Sequence, residues 1–594
     1  MLQERGRGLS TTRKFVARQL GSKEHRLLRL GSLIVSGKSP QNYTSAQAHT
    51  AMSPIRSPRD SVTKANRIPS EIYAQIFSLL QESDPPCFIQ EYGDPEKLHL
   101  GWLYVTHVCQ HWRSAALAQS RLWTDVPFLL GSAWTKEFLR RSRMAPISFN
   151  CDVYNGVTEA TKASLNVAGT ITQSLSRIRT LRIVGRTDDI ASIIPSFRKA
   201  APILEKFELE NVATIQIDSF GRPPLLPADL FKQSAPRLRC LEALRFNFAW
   251  SSLAFGSLVE LRLSREETDN VEPTSEPQNL RHVLNALSKM PSLEVLVLQG
   301  VLPSTTSFDV ENAISVSLPN LRSFELSDDG FSCILTLLYI VTPPTTNYTV
   351  HFEYLLINRY SRELFLSWFT SRVRALLPAR ALTVGVWETD FSVAWEPCPI
   401  PRDTEDPDLI THISEDGGPF FDLQFHGFVQ AQSYTELESF CNALPLERLE
   451  TLTVNLEDAP QVAWNAQEWF AIFGRCENVH CLEVLSSYPV GLFGALTSDN
   501  PIEGRSGPLF ASMQLLALES IDFEHNNLFE SLLAWLTLRK KLAAFQCLEF
   551  SDCAIPQDFI RKIRDEVEKV YWEGDRVEPP PNKALEPDAP MSVD

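Results

Sequence analysis

The stretch PSLEVLVLQG, residues 291–300, places Leu293, Leu296 and Leu298 at Leu-x-x-Leu-x-Leu spacing directly after a proline. Its last two members alternate with their neighbours, as in a short β-strand with one buried face. A recurrence of this pattern predicts a repeat architecture rather than a single compact core. Seven further triplets follow the same spacing: Ile178, Leu181 and Ile183; Leu204, Phe207 and Leu209; Leu258, Leu261 and Leu263; Leu321, Phe324 and Leu326; Leu449, Leu452 and Val454; Val479, Leu482 and Val484; Phe545, Leu548 and Phe550.

These triplets resemble the strand half of a leucine-rich repeat, in which each strand is followed by a returning helix or turn. Apolar residues at helical spacing in 282–290, 365–377 and 527–545 predict such returns. The resemblance implies a solenoid with a parallel sheet along its concave side. Because the spacings are uneven and the usual Asn after the triplet is mostly absent, we expect an irregular solenoid over 128–572, and an α/β chain overall.

The middle of this domain, 342–447, loses the triplet almost entirely. It carries the polar run PRDTEDPDLITHISEDGG at 401–418. We therefore expect the repeat to be interrupted here, either by a large insertion or by a break into two arcs.

Residues between the triplet positions should point to the opposite face of the sheet, because side chains alternate along a strand. Mixed charge around a central pair of valines suits recognition of a protein surface. For any single position, an ordinary solvated strand residue is the simpler interpretation. The candidate client-binding residues are Arg182, Glu208, Arg262, Val297, Glu325, Thr453 and Glu483, and Lys206, Glu260, Val295, Ser323 and Thr451 share their orientation.

A different pattern precedes the triplets, in 67–127. In RIPSEIYAQIFSLL, residues 67–80, Ser70 is a favourable N-cap residue and an apolar face follows at helical spacing. After a polar, proline-containing connection, residues 100–123 carry a second apolar stripe that includes Val105 and Ala116. Two such helices bury too little apolar area to be stable alone. They need a partner, which is either another protein or the following domain.

The residues of this module resemble the F-box family. The matching series is Ile68-Pro69-x-Glu71-Ile72 with Ile76-Phe77, then Val105, Val108-Cys109 and Trp112-Arg113, then Leu122-Trp123. In that family a three-helix unit docks onto the small Skp-type adaptor of cullin-RING ubiquitin ligases. The resemblance covers about a tenth of the chain. It implies that the adaptor-binding residues are Ile68, Pro69, Ile72, Ile76, Val108 and Trp112.

Two departures from the family are visible. The usual opening Leu is Ile68, a change that conserves volume. The connection before Leu98 is longer than the short loop common in the family, so the geometry of that loop is open.

Together the two parts predict a substrate-recognition subunit that binds the adaptor through the module and a protein client through the repeat surface. Its mechanism would be proximity to a ubiquitin-transferring enzyme. The alternative is a protein-interaction scaffold without a ubiquitin-ligase role.

We expect no enzymatic activity and nominate no catalytic residue. The sequence has no Gly-rich phosphate loop, no His-Glu-x-x-His zinc helix and no Gly-x-Ser-x-Gly elbow. We also expect no cofactor or metal, because Cys476 and Cys481 beside His480 lack a second matching pair. The aspartates of 403–408 look like a solvated loop rather than a calcium site.

The net charge of −16 argues against nucleic acid or an anionic membrane as a partner. The first 67 residues differ, with thirteen Lys or Arg against three Asp or Glu. We expect a disordered basic extension over 1–66, with a mitochondrial transit peptide or a salt-sensitive nucleic-acid-binding arm as alternatives. No apolar run approaches the roughly 20 residues that cross a bilayer. We expect a cytoplasmic or nuclear protein, with a disordered acidic, Pro-rich tail over 573–594.

Overall fold

The computed structural model describes residues 68–89, 97–152, 166–212, 223–265, 279–303, 314–353, 359–374, 380–387, 390–396, 421–426, 430–456, 464–486, 489–499, 501, 507–523, 528–542 and 545–572. Within these residues the chain is α/β, with fourteen helices and one large, mostly parallel sheet. The predicted class is therefore confirmed. The expected extensions over 1–66 and 573–594 and the aspartates of 403–408 lie outside the described residues.

The chain divides into two units, Met1–Ile72 and Tyr73–Asp594. Of the first unit the structure describes 68–72, which form a turn and the start of a helix. The N–H of Ile72 donates to the carbonyl of Pro69 over 3.1 Å.

Side-chain caps explain where several helices begin. Asn279 and Asn465 each accept backbone N–H groups of the first turn in reciprocal capping boxes, and Asp329 accepts the N–H of Ser332 over 3.1 Å. The helices are α1 Ser70–Ser83, α2 Val105–Val108, α3 Gln110–Ala118, α4 Ser132–Arg141, α5 Val167–Ser174, α6 Thr187–Ile193, α7 Leu280–Leu287, α8 Gly330–Tyr339, α9 Arg359–Arg374, α10 Gln430–Ala443, α11 Ala466–Phe473, α12 Val490–Thr497, α13 Leu528–Leu542 and α14 Gln557–Arg564. The helices predicted in 282–290, 365–377 and 527–545 are confirmed as α7, α9 and α13.

The last two members of every predicted triplet lie on a strand and are buried, so all eight strand predictions are confirmed. The strands are β1 Cys87–Ile89, β2 Lys97–His99, β3 Asp125–Pro127, β4 Ile147–Asp152, β5 Ile178–Gly185, β6 Lys206–Asn211, β7 Cys240–Leu244, β8 Glu260–Ser264, β9 Val295–Gln299, β10 Val316–Ser317, β11 Ser323–Asp329, β12 Ile340–Val341, β13 Asn347–Glu353, β14 Ala381–Val386, β15 Phe391–Glu396, β16 Phe421–Phe425, β17 Thr451–Leu456, β18 Cys481–Leu485, β19 Leu515–Glu519, β20 Cys547–Ser551 and β21 Lys569–Trp572.

Seventeen of these strands form one sheet. Its hydrogen-bonded neighbours follow the order β3, β4, β5, β6, β7, β8, β9, β11, β13, β16, β15, β14, β17, β18, β19, β20, β21. Among the described strands, β3 and β21 each pair with a single neighbour, so the order is linear. Strand β3 lies at the end of the segment that the sequence assigned to the helical module, yet it is the first strand of this sheet.

The middle region, where the triplet is lost, changes the strand order without ending the sheet. Strand β13 is followed in space by β16, β15 and β14, and the chain then continues with β17 beside β14. Strand β15 runs antiparallel to both of its neighbours, whereas the other pairings of this sheet are parallel. Hydrogen bonding between strands is therefore continuous through 342–447 in the part that the structure describes.

Two further pairs of strands stand apart from the large sheet. Strands β1 and β2 form an antiparallel pair in the polar connection of the module, and β10 pairs with β12 in parallel.

A carboxylate is buried near the end of β11. Asp328 is 7% exposed, and its side chain accepts the N–H of Leu302 over 2.7 Å and that of Asp329 over 2.9 Å. Burial raises the pKa of Asp328 to about 7, although the two N–H donors act in the opposite direction. The backbone therefore holds a carboxyl group whose charge is costly in the folded chain.

Candidate protein-binding surfaces

The helices of the N-terminal module pack through aromatic residues. Tyr73 and Phe77, on one side of α1, are fully buried, and the ring of each lies 5.4 Å from that of Trp112 on α3. The side chain of Cys109 caps α3 by accepting the N–H of Trp112. Trp112 is only half-buried, so it contributes to the internal core of the module and also reaches its surface.

The apolar residues on the other side of α1 are open to solvent. Ile72 is 43% exposed and Leu79, two helical turns further on, is 60% exposed. On α2, Val108 is 50% exposed, and Tyr104, one turn before it, is also exposed. Large apolar side chains that stay in water on neighbouring turns are typical of a binding surface.

Each adaptor-binding candidate of the sequence can be placed. Pro69, Ile72 and Val108 are exposed, whereas Ile68, Ile76 and Trp112 are half-buried. Leu79 and Tyr104 were not among the candidates although both are exposed. The helical spacing of Leu79 from Ile72 and Ile76 was the available signal.

The module continues without a gap into the core beneath the first strands of the sheet. The ring of Trp123 lies 5.4 Å from that of Trp102 and 4.9 Å from that of Phe138 on α4. Its indole N–H donates to the carbonyl of Ala116 over 2.9 Å, and the guanidinium of Arg141 lies 4.1 Å above its ring. Part of the module is thus stabilised by the domain that follows it.

A glycine fixes the turn that enters α2. Gly101 has a φ of +56°, and a Cβ at this position would lie 2.2 Å from the carbonyl oxygen of Asp84. The next residue, Trp102, donates its N–H to the same oxygen over 2.7 Å. Only glycine combines this backbone conformation with so close an approach.

All seven client-binding candidates lie on one row of the large sheet. The row crosses sixteen strands in register, on the side opposite the buried triplet residues, and we call it the polar row. Its members in spatial order are Asn150, Arg182, Glu208, Glu242, Arg262, Val297, Glu325, Thr349, Asp422, Ala394, Thr383, Thr453, Glu483, Ala517, Glu549 and Tyr571. The side of the sheet that carries it is the polar face.

In the first half of the polar face, the charges form ion pairs with each other. Lys206 contacts Glu208 over 2.6 Å and Arg262 contacts Glu260 over 2.5 Å. The pKa of Glu242 is raised, first by burial and then by the negative charge of Glu208. A carboxylate in this position gains from a cation brought by a partner.

The second half of the polar face has a different balance. Between β13 and β18, the described strand positions on this face hold the carboxylates of Glu353, Asp422, Glu396 and Glu483 and no lysine or arginine. Burial raises the pKa of Asp422 and lowers that of His351, and the charge of each partly offsets the shift of the other.

Alternation along the triplets could not reveal every residue of this face. Glu242 and Asp422 belong to the polar row but lie on strands outside the eight triplets. The segment of β7 offered a signal, because Leu238, Leu241 and Ala243 keep the triplet spacing with a small last member.

No arrangement for metal chemistry emerges from the residues that the structure describes. No group of three or more His, Cys, Asp or Glu side chains among them is placed to hold a metal ion. Cys476 is buried, while Cys481 lies on β18 with its side chain toward the polar face. Burial raises the pKa of Cys441 and of Cys151 to about 12, which disfavours the reactive thiolate. Of the helices in the described ranges, none has the length and apolar character that spanning a membrane requires.

No protein-family model matches the chain, and no curated protein matches its sequence. The likeness of the module to F-box proteins therefore depends on the motif residues alone.

Proposed function

We propose that this chain is a substrate-recognition subunit of a Skp-type, cullin-RING ubiquitin ligase. Its F-box-like module binds the adaptor, and its leucine-rich-repeat-like sheet binds a protein client through the polar face. The chain acts by holding the client near a ubiquitin-transferring enzyme. None of its own side chains takes part in the transfer.

The observation that carries the proposal is the exposure of Pro69, Ile72 and Val108, three of the six residues that the family motif assigns to adaptor binding. Ile72 and Val108 are exposed, although Tyr73 and Phe77 on α1 are fully buried. A helix-in-groove contact draws its energy from a few such anchors. A purely internal role for the module would instead bury them.

The polar row supports the second half of the proposal. A parallel sheet with an in-register row of charged, polar and small apolar side chains offers a recognition surface many strands wide. Ion pairs that are already formed within it, such as Lys206 with Glu208, fix the side-chain positions before a client arrives.

Co-purification tests the adaptor half. The full chain, co-expressed with a Skp-type adaptor, is expected to retain it through size-exclusion chromatography. Alanine in place of Ile68, Pro69 and Ile72 is expected to abolish retention, because removing these anchors costs several kcal/mol of contact energy, roughly 1.5–3 for each fully buried aliphatic side chain. Substitution is preferable to deletion of the module, because deletion would also remove Trp123 from the core.

The matched control is Val490→Ser, at an exposed apolar residue on α12, which should leave retention unchanged. A chain that never retains the adaptor, with the triple substitution changing nothing, would support the interaction scaffold without a ubiquitin-ligase role.

A further inference from the structure

A tryptophan lies on the polar face in the middle region, where the triplet pattern is lost. Trp387 directly follows β14, and its N–H donates over 2.8 Å to the carbonyl of Asp390, the residue before β15. Gly385, two residues earlier, faces the polar side. A Cβ at Gly385 would lie 2.4 Å from Cη2 of Trp387 and 2.7 Å from Oγ of Ser392. The indole therefore rests directly on Gly385, in a space that any other residue would fill.

This tryptophan is not part of the core. At 37% it is the most exposed of the twelve tryptophans, and seven of the others are almost completely buried. A large, rigid aromatic ring that packs on a glycine and remains partly exposed is the type of residue that anchors protein interfaces.

The described strands next to Trp387 carry acidic side chains on the polar face. On the polar face, the described positions of β13, β14, β15 and β16 hold Glu353, Asp422 and Glu396 and no lysine or arginine, although Glu396 lies at the opposite end of β15 from Trp387. Asp390 lies 3.5 Å from His426, whose ring lies 6.4 Å from that of His351. A cation placed on the indole face gains from the ring itself, and Asp390, whose carbonyl accepts the N–H of Trp387, is the carboxylate next to it.

We propose that Trp387, seated on Gly385, is an anchoring contact for the client and receives a lysine or arginine side chain from an extended segment of it. The proposal deepens the proposed function, since it assumes that the polar face binds a protein. It specifies the client chemistry as a cationic side chain next to backbone that can lie along the sheet.

Fluorine NMR on the full chain provides a direct test. The protein is labelled with 5-fluorotryptophan, and the Trp387 signal is identified by its absence in Trp387→Phe. The probe is an acetylated, amidated octapeptide of alternating Ser and Arg. In about 150 mM salt, which limits unspecific attraction to the acidic chain, the Trp387 signal is expected to shift saturably while the signals of the buried tryptophans stay in place.

Two comparison peptides replace Arg by norleucine or by Glu. A cation on the indole predicts that neither shifts the Trp387 signal at concentrations where the Arg peptide saturates it. An equal shift with norleucine would overturn the cationic assignment in favour of an apolar contact. The absence of any shift with the Arg peptide would overturn the anchor itself.

Variants add an affinity measurement with the fluorescein-labelled Arg peptide. Trp387→Leu keeps apolar bulk but removes the ring, and it is expected to weaken binding about 2- to 30-fold. Gly385→Ala should weaken binding as well, because the new methyl group displaces the indole. Val490→Ser serves as the control at an exposed apolar residue outside the polar face. An unchanged affinity of Trp387→Leu for the Arg peptide would contradict the proposal.

Retention of the Skp-type adaptor is measured on the same proteins, and it separates the two proposals. Trp387→Leu should retain the adaptor like the unsubstituted chain, because the module is unaltered. If no protein retains the adaptor but the Trp387 signal shifts, the ligase role fails and the anchor stands. If the adaptor is retained and the Arg peptide does not shift the Trp387 signal, only the proposed role of Trp387 is contradicted.

Discussion

Replacing Leu79 and Val108 together by serine should weaken binding of a Skp-type adaptor about ten- to one hundred-fold. Full burial of an aliphatic side chain contributes roughly 1.5–3 kcal/mol. Leu79 is 60% exposed and Val108 50% exposed in the free chain, so covering those fractions is worth about 1.5–3 kcal/mol for the pair. Each 1.4 kcal/mol corresponds to about a factor of ten in the dissociation constant.

The assay is isothermal titration of the purified adaptor with the full chain and with the Leu79→Ser, Val108→Ser double variant. Thermal unfolding of the two chains should be nearly the same, because the substituted side chains are already in water and the rings of Tyr73, Phe77 and Trp112 remain packed. A loss of affinity in the double variant therefore cannot be attributed to unfolding of the module.

Val490→Ser removes an apolar side chain that is 62% exposed on α12 and should leave the dissociation constant within about twofold. The reasoning is refuted if the double variant binds within twofold of the original chain, or if Val490→Ser weakens binding as much as the double variant does.

Three predictions concern stability. Because the pKa of Asp328 is about 7 in the folded chain and ordinarily 3.8, the folded state holds more protons and its stability falls as pH rises from 3.8 to about 7. Asp328→Asn should reduce the loss between pH 5 and pH 8 by about 2–3 kcal/mol, measured by urea unfolding; an unchanged pH dependence would contradict this. Gly101→Ala should lower the free energy of unfolding by about 1–3 kcal/mol more than Gly131→Ala, since both have positive φ but only Gly101 has no room for a Cβ; equal losses would argue against the close approach. Trp123→Phe should cost about 2–4 kcal/mol through a cavity and a lost hydrogen bond, visible as a lower melting temperature, and a neutral result would mean that the module does not depend on this core.

Much of the sheet was predictable because its strands repeat a local pattern. Leu296 and Leu298 alternate with outward residues, and the same alternation placed Arg262 and Val297 side by side on neighbouring strands. Strand pairing in register extends such a local rule over a long distance. This is why seven residues chosen one strand at a time fall on a single row.

The remaining parts depend on contacts that no local pattern encodes. Strand β13 pairs with β16 and β14 pairs with β17, both out of chain order, and the two pairings of β15 are antiparallel. Spacing along the chain carries no information about such an order. Gly385 lies on β14 and Trp387 directly follows that strand, in a region without the triplet, so no sequence pattern pointed to them.

In the module, spacing predicted helices but not which apolar side was open. Ile76 and Phe77 are adjacent in sequence, yet Phe77 is fully buried while Ile76 is half-buried. The choice is made by Trp112, whose ring lies against Phe77 from another helix. The family resemblance assigned Ile72 and Val108, which are exposed, to adaptor binding. It did not include Leu79, which is exposed as well.

The unbroken register of the polar row limits how a client can follow it. Adjacent strands lie about 4.8 Å apart, whereas side chains on one side of an extended peptide repeat about every 6.7 Å. The strand spacing and the peptide repeat coincide again only after about seven strands, because seven strand spacings and five peptide repeats both measure close to 34 Å. In a segment that lies across the strands, only side chains about 34 Å apart therefore occupy equivalent positions on the polar row. Such a segment would be recognised through a few widely separated side chains.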